Sequence, residues 1–386
     1  MSESILTGLA AVTLVLLLVG VAAAAVARRR VPWLGAQPRA DRSQHRPSVS
    51  IIAPALNEQR HIESAVRSLL AQDYAPLEIV LIDDRSTDET PQILARLAAE
   101  HPRLRCVTVR ELPPGWLGKN HANWIGARAA SGELLLFTDA DVVMDSGVID
   151  RAVSYLLRGA WDHLAVAPRI VLPGAVLSQF TLYFGILFSM YARPWAARDP
   201  HSRAHVGIGA FNLVRREAYF ACGGHERLRL RPDDDVKLGK LLKQGGYRQD
   251  FLNGNGALKV EWYAGWREVR DGLMKNLFAG VGYSITATVV GSLVQLALFA
   301  GPPVAVWFGG PLARACNLAS CALLLALGAV CAPQFGTRRW GGATLPLFAV
   351  FGAWLMWRSM LLALLRGGID WRGTRYPLEE LRRNIV

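Results

Sequence analysis

A chain of 386 residues with 43 Lys and Arg against 31 Asp and Glu has a net charge of +12 and is 52% apolar. That length allows a domain of ordinary size plus further elements, and the apolar excess, concentrated at the two ends, excludes a chain held wholly in water. A nucleic-acid partner is also excluded: the arginines gather beside apolar runs (Arg28 to Arg30, Arg338, Arg339, Arg366 to Arg383), with neither zinc-finger spacing nor an RNP-type aromatic motif. Anionic lipid headgroups account for the same charges. Cys106, Cys222, Cys316, Cys321 and Cys331 are odd in number and lack Cys-x-x-Cys spacing, so reduced packing residues are expected.

Ile5 to Ala27 is an uncharged apolar run of about 23 residues, enough to cross a bilayer core. Arg28, Arg29 and Arg30 follow it instead of preceding it, which predicts a retained anchor with the rest of the chain on the cytoplasmic side. A basic, proline-containing linker follows. Val49 to Ala55 reads as a strand closed by proline, Asn57 and Glu58 as helix-starting residues, and Ile62, Ala65, Val66, Leu69 and Leu70 recur at helical spacing. The pattern repeats with a strand from Glu78 to Asp83, a capping box at Ser86-Thr87-Asp88-Glu89, a helix, and a third strand from Leu104 to Val109. Alternating strands and helices predict a mostly parallel sheet, whose ligands bind beyond the carboxyl ends of the strands.

The centre of the pattern is Ser131 to Asp141, a short strand buried on both faces that ends in Asp139-Ala140-Asp141. In an extended chain the two carboxylates share a side, an arrangement that suits a hard divalent cation shared with phosphates. Asn57, Glu58, Asp83, Asp84, Arg85, Ser86 and Asp88 fall at the ends of the first two strands, which predicts a crevice for a cation and a phosphate-bearing ligand. Residues 83–88 also suit a helix cap and an exposed turn. There is no Gly-x-Gly-x-x-Gly fingerprint, and Gly118-Lys119 is not a P-loop. Lys119 either reaches a phosphate or simply begins the helix that follows.

Beyond Asp141, Val171 to Tyr191 is apolar but contains Ser178, Gln179 and Thr181. As a span it would put Asp233-Asp234-Asp235 across the bilayer from Asp139, so a surface or buried helix is expected. Gly207 to Val214 reads as a glycine-rich turn entering a strand. The three aspartates precede a helix, where carboxylates are stabilising. Three exceed what a cap needs, and crowding raises their pKa, so cap and general base both stay open. Trp262 to Lys275 combines aromatic and basic residues, as at a membrane interface or an acceptor entrance. Three apolar runs follow: Ser284 to Phe308, Ala315 to Cys331 and Ala343 to Leu365. Three spans would leave the arginine-rich tail outside. Either one run is re-entrant, at Gly301-Pro302-Pro303, or the charge rule fails.

With these motifs assembled, Ala53-Pro54-Ala55-Leu56-Asn57-Glu58, Ile82 to Asp88, Gly115-Trp116-Leu117-Gly118-Lys119, Asp139-Ala140-Asp141, Asp234-Asp235-Val236 with Leu238-Gly239, and Lys275-Asn276, the chain resembles the family 2 glycosyltransferases with an α/β GT-A fold. It is most similar to membrane-bound, non-processive members that glycosylate carotenoid or hopanoid-type lipids. The resemblance implies that Pro54, Asn57, Glu58, Asp83, Asp84, Lys119 and Asp139 hold the nucleotide-sugar donor, a UDP-sugar foremost. It implies that Asp141 and Asp139 bind Mg2+ or Mn2+, and that Asp235, with Asp234 beside it, is the base. The expected organisation is an anchor (1–30), a linker (31–48), a donor half (49–142), an acceptor half (143–265), an interfacial segment (266–283), a membrane region (284–365) and a basic tail (366–386). The expected enzyme is an inverting transferase of one sugar to a lipid in the inner membrane. Gln-x-x-Arg-Trp is absent, which disfavours the alternative of a processive polysaccharide synthase. A nucleotide-sensing transport or assembly subunit is a further alternative.

Overall fold

The computed structural model describes residues 3–39, 46–384 and 386, so the middle of the predicted linker lies outside the described residues. In chain order, helix α1 (Glu3–Arg30) precedes β1 (Val49–Ala55), α2 (Ile62–Leu70), β2 (Leu77–Asp84), α3 (Thr90–Glu100), β3 (Leu104–Val109), α4 (Gly118–Ala129) and β4 (Leu134–Phe137). Next come β5 (Val142–Met144), α5 (Val148–Arg158), β6 (His163–Ala167), β7 (Arg169–Val171), α6 (Phe180–Ala192), β8 (Asn212–Arg215), α7 (Arg216–Ala221), α8 (Asp234–Gln244), β9 (Gln249–Asn253) and β10 (Leu258–Glu261). The rest is α9 (Trp266–Gly280), α10 (Ile285–Gln295), α11 (Gly301–Ala305), α12 (Pro311–Phe335), α13 (Leu345–Leu365), the hairpin β11 (Gly368–Trp371) and β12 (Thr374–Pro377), and α14 (Leu378–Arg383).

Two compact units emerge. One comprises residues 31–169, 192–261 and 383–386. Its seven-stranded sheet has the order β3-β2-β1-β4-β8-β6-β9, parallel apart from β8, which runs antiparallel to β4 and β6. Apolar runs at β1, β2 and β4 dictate this, because strands covered on both faces need side chains that can all be buried. Ile51, Ile52, Val80, Leu81, Leu135 and Leu136 are fully buried. Helix α4 lies tight on the sheet: a Cβ on Gly126 would sit 2.5 Å from Ile52 and 2.6 Å from Ile82. That close approach fixes where the helix start, and with it Lys119, stands above the strand ends.

The other unit comprises residues 1–30, 170–191 and 262–382. Four of its helical stretches are long and apolar enough to cross a membrane: Glu3–Arg30, Ile285–Ala305, Pro311–Phe335 and Arg339–Leu365. Helix α6, with 13 residues, is shorter than the about 20 that a span needs. It is packed inside this unit, Phe180 against Phe348 and Phe351 at ring distances of 5.5 and 5.9 Å. The start of α12 meets the start of α1, since a Cβ on Gly309 would touch Leu6.

Helix α13 begins unlike a simple return span. The turn before it lays Gly341 and Gly342 on Leu324, Leu325 and Gly328, halfway along α12. From there α13 runs beside α9: Trp266 stacks on Phe348 at 6.0 Å, and Ser359 donates to the Met274 carbonyl and accepts from the Phe278 amide. The C-terminal residues belong to the first unit, where Asn384 accepts from the Leu230 amide at 3.0 Å and donates to the Arg227 carbonyl at 3.1 Å. Lys240 donates to the Val386 oxygen.

Candidate active site

The site forms beyond the carboxyl ends of β1, β2 and β4. Chain register explains how: Ala55 lies opposite Asp83 across β1 and β2, and β4 flanks β1 on its other side. Pro54 sits inside β1 opposite Ile82. Asn57 takes a left-handed φ of 56°, a conformation that asparagine tolerates. Its side-chain oxygen accepts the Thr87 amide at 2.8 Å, and its own amide donates to Ser86 at 3.1 Å. Asp88 accepts the amides of Gln59 and Thr90, and Thr90 accepts the Glu58 amide. The predicted capping box is therefore corrected: α3 starts at Thr90, and the Ser86 and Asp88 side chains tie the loop after β1 to the loop after β2. The bonds from the Asn57 amide to Ser86 and from the Gln59 amide to Asp88 span 29 residues, so local spacing could not reveal them, whereas the Asp88 bond to the Thr90 amide is local.

Buried Asp83 accepts the Ser86 amide at 3.2 Å. Asp84 is bound by both ends of the Arg85 guanidinium, at 2.8 and 3.1 Å, and fills the space over Gly118, where a Cβ would lie 2.4 Å from its carboxylate. Asp84 and Arg85 thus brace the start of α4. The same helix start is pinned from the far side, with the Leu117 amide on the Arg229 carbonyl and Asn120 donating to the Arg231 carbonyl at 2.9 Å.

Lys119 is the hub. Its ammonium lies 2.7 Å from Asp139 and 4.0 Å from Asp234. Burial works against its charge, yet Asp139, Asp234 and Asp235 outweigh burial and hold its pKa above the ordinary lysine value. Gly209 marks the convergence: a Cβ there would stand 2.9 Å from Asp139, 3.4 Å from Lys119 and 3.5 Å from Asp235.

The three aspartates at the start of α8 divide their duties. Asp233 is held by the Arg231 fork at 2.8 Å on each oxygen, with Lys237 at 3.6 Å. Asp234 is buried against His225 at 3.4 Å, and that ring also meets the Tyr219 hydroxyl at 2.9 Å and Asn123 at 3.3 Å. Asp235 accepts the Gly209 amide at 2.7 Å and the Val236 amide at 2.8 Å. Burial, then the charge of Asp234, push its pKa up to about 7. A carboxyl poised there can accept a proton near neutrality. The cleft between these groups is lined by Lys119, Thr138, Gly209, Asn212, Asp234 and Asp235.

Asp139 and Asp141 depart from the expected extended geometry. The strand ends at Phe137, and residues 140 and 141 form a turn. Alternation therefore does not orient the pair; the turn does. Asp141 keeps one carboxylate oxygen, Oδ1, buried and without a hydrogen-bond partner. Burial first, then Asp139 and Glu58, raise its pKa to about 7. A buried acceptor amid like charges is costly unless a cation joins it. The donor set, two carboxylates of which one keeps a buried oxygen without a partner, fits a hard divalent ion of the kind shared with phosphate oxygens. Among the described residues no cluster of three or more His, Cys, Asp or Glu could hold a metal by itself. Protein ligands alone would thus leave the coordination incomplete.

Sequence reasoning missed His225 and Asn123, whose types carry no spacing signal, and the role of Gly207. A Cβ on Gly207 would fall 1.8 Å from the Asp235 carbonyl oxygen, and one on Gly239 would fall 1.9 Å from the Val206 oxygen. Backbone meets backbone there, so neither neighbour can swing away. Gly207→Ala is expected to cost about 3 kcal/mol or more and to lower the melting temperature of the purified protein. Gly209→Ala meets only side-chain ends and should leave the fold intact.

Residues 50–220 match the family model for glycosyl transferase family 2. The 4,4'-diaponeurosporenoate glycosyltransferase of Staphylococcus aureus (strain USA300) is 25% identical over 238 residues, covering 61% of this chain and 62% of that relative. The match thus spans about three fifths of the relative's length. A mannosyltransferase from Pyrobaculum calidifontis, solved in complex with GDP-Man and Mn2+, superposes with a TM-score of 0.52 at 21% identity, over 94% of this chain and 98% of that one. That likeness shows the fold, a GT-A domain accompanied here by apolar helices at the N-terminus and in the C-terminal region. With the acidic crevice at the strand ends, and a family match over the segment that supplies Asp83, Lys119, Asp139 and Asp141, residues 50–220 form a glycosyl transferase family 2 domain.

Proposed function

We propose that the protein is an inverting transferase that moves one sugar from a nucleoside diphosphate sugar to a lipid acceptor, with Mg2+ or Mn2+ at Asp141 and Asp139. The observation that carries this reading is the gathering of Lys119, Asp139, Asp234 and Asp235 around Gly209. Inversion needs one base on the face away from the leaving group and no covalent nucleophile. Asp235 is that base: two backbone amides aim its carboxylate, and its raised pKa suits proton acceptance. Asp234, fixed by His225, orients the first turn of α8 and keeps Asp235 basic through like charge. Lys119 neutralises Asp139 until a diphosphate arrives, then has a second anion within reach. A bound divalent ion would supply charge neutralisation for the departing diphosphate. Glu58, Asp83 and Asp84, with Asn57 and Pro54, hold base and ribose at the ends of β1 and β2. Mn2+ and the nucleotide sugar of the Pyrobaculum neighbour, and the carotenoid acceptor named for the Staphylococcus relative, support donor and acceptor classes of this kind. The assay is transfer from labelled nucleotide sugars to lipid in native-lipid vesicles. A monoglycosylated lipid with inverted anomeric configuration is expected; a retained configuration or a ladder of longer sugars would refute the reading.

The membrane placement we propose rests on the tail. We take residues 383–386, which group with the catalytic unit, as lying on its side of the bilayer, so that residues 262–382 leave that side and return. An even number of crossings satisfies this. We assign them to α10–α11 and to α12, and keep α13 on the catalytic side along α9. The interrupted run at Gly301-Pro302-Pro303 then crosses, while the last run does not. The arginines of 366–383 then lie on the cytoplasmic face, as the charge rule asks. Reporters at Gly309 and at Arg372 should report opposite sides of the inner membrane. The same side for both would contradict the assignment.

A further inference from the structure

The unit of apolar helices carries a cleft of about 240 Å³ that the transfer reaction does not use, walled by Met274, Leu362, Ala363 and Ile369 and edged by Arg358 and Arg366. Its charges are unequally satisfied. Asp271 is held by both ends of the Arg270 guanidinium at 2.7 Å, and Asp370 pairs with Arg366 at 3.1 Å. Arg358 stands apart. It projects from the otherwise apolar helix α13, its Nε is buried without a hydrogen-bond partner, and its guanidinium carbon lies 5.8 Å from the Trp354 ring centre. Asp271 acts on it only through charge at a distance.

A guanidinium offers five donors in a fixed fork, and leaving even one of them, here Nε, buried and unmade is costly. An arginine beside apolar walls with a buried donor unmade suits a ligand of complementary chemistry. The fork matches phosphate oxygens, and the apolar walls match hydrocarbon beside the phosphate. We propose that this cleft binds the phosphate headgroup of an anionic membrane phospholipid, with Arg358 as the principal contact and Arg366 at the rim. The volume suits a headgroup and the first carbons of its chains, not a whole lipid. The site stands on unit contacts alone and is independent of the transferase reading.

The test is native mass spectrometry of the full-length protein from micelles containing equimolar phosphatidylglycerol and phosphatidylcholine. Wild type should retain phosphatidylglycerol with about tenfold preference, Arg358→Gln should lose that preference, and added inorganic phosphate should not displace the lipid. Leu362→Trp, which fills the cleft without changing its charge, should lose it too and decides the matter if the arginine variant does not fold. An undiminished preference in either folded variant overturns the proposal. So does displacement by inorganic phosphate, which would make the site one for the free anion.

Discussion

Asp235→Asn is expected to lower sugar transfer by about 10²–10⁴-fold, the usual contribution of a positioned base, with nucleotide binding unchanged. The amide keeps the size of the carboxyl and can still accept one of the two backbone N–H groups that hold Asp235 in place. It cannot take the acceptor's proton. The wild type carries a pH signature of the same group. A carboxyl base works when deprotonated, and burial with the neighbouring charge of Asp234 lifts Asp235 from the ordinary carboxylate range to about 7. Transfer should therefore fall as the pH drops through about 7, not through 4, when followed as kcat/KM. An unchanged rate in Asp235→Asn would remove this residue from the mechanism.

Lys119→Met is the second large effect. The ammonium is the cation among Asp139, Asp234 and Asp235, and it lowers the pKa of Asp235 against the pull of burial. Without it, Asp235 should hold its proton to higher pH. The acid limb should move upward by about one unit, the size of a typical charge effect at short range. At neutral pH that is a loss of about fivefold, largely recovered in alkaline buffer. A variant that was slow at every pH, with its limb unmoved, would show that Lys119 acts on the donor phosphates instead of on the base.

Much of this was legible in the chain. Apolar runs at β1, β2 and β4 dictate buried parallel strands, and the polar residues that end them must then share one crevice, so Asp83 and Asp139 could be placed without coordinates, whereas Asp235 was pointed to only by the family resemblance. What stayed hidden depends on contacts distant in sequence. Asp139 and Asp141 are oriented by a turn, not by strand alternation. Ser86 and Asp88 bond across to another loop, where local spacing suggested a cap. The assignment of Asp233, Asp234 and Asp235 to three partners requires knowing where Arg231, His225 and Gly209 fall. Hydropathy likewise could not say which apolar runs cross, because a helix packed on neighbours, as α13 is along α9, and one immersed in lipid need the same apolar surface.

The measurement that bears most directly on the central claim is calorimetric titration of the full-length protein with UDP, GDP and dTDP, with and without Mn2+, for wild type and Asp141→Asn. Binding of one nucleotide that depends on Mn2+ and is lost in the variant is the expected result. Folded wild-type protein that binds none of the three, with or without the metal, would contradict the assignment of the Asp139 and Asp141 crevice as the donor site.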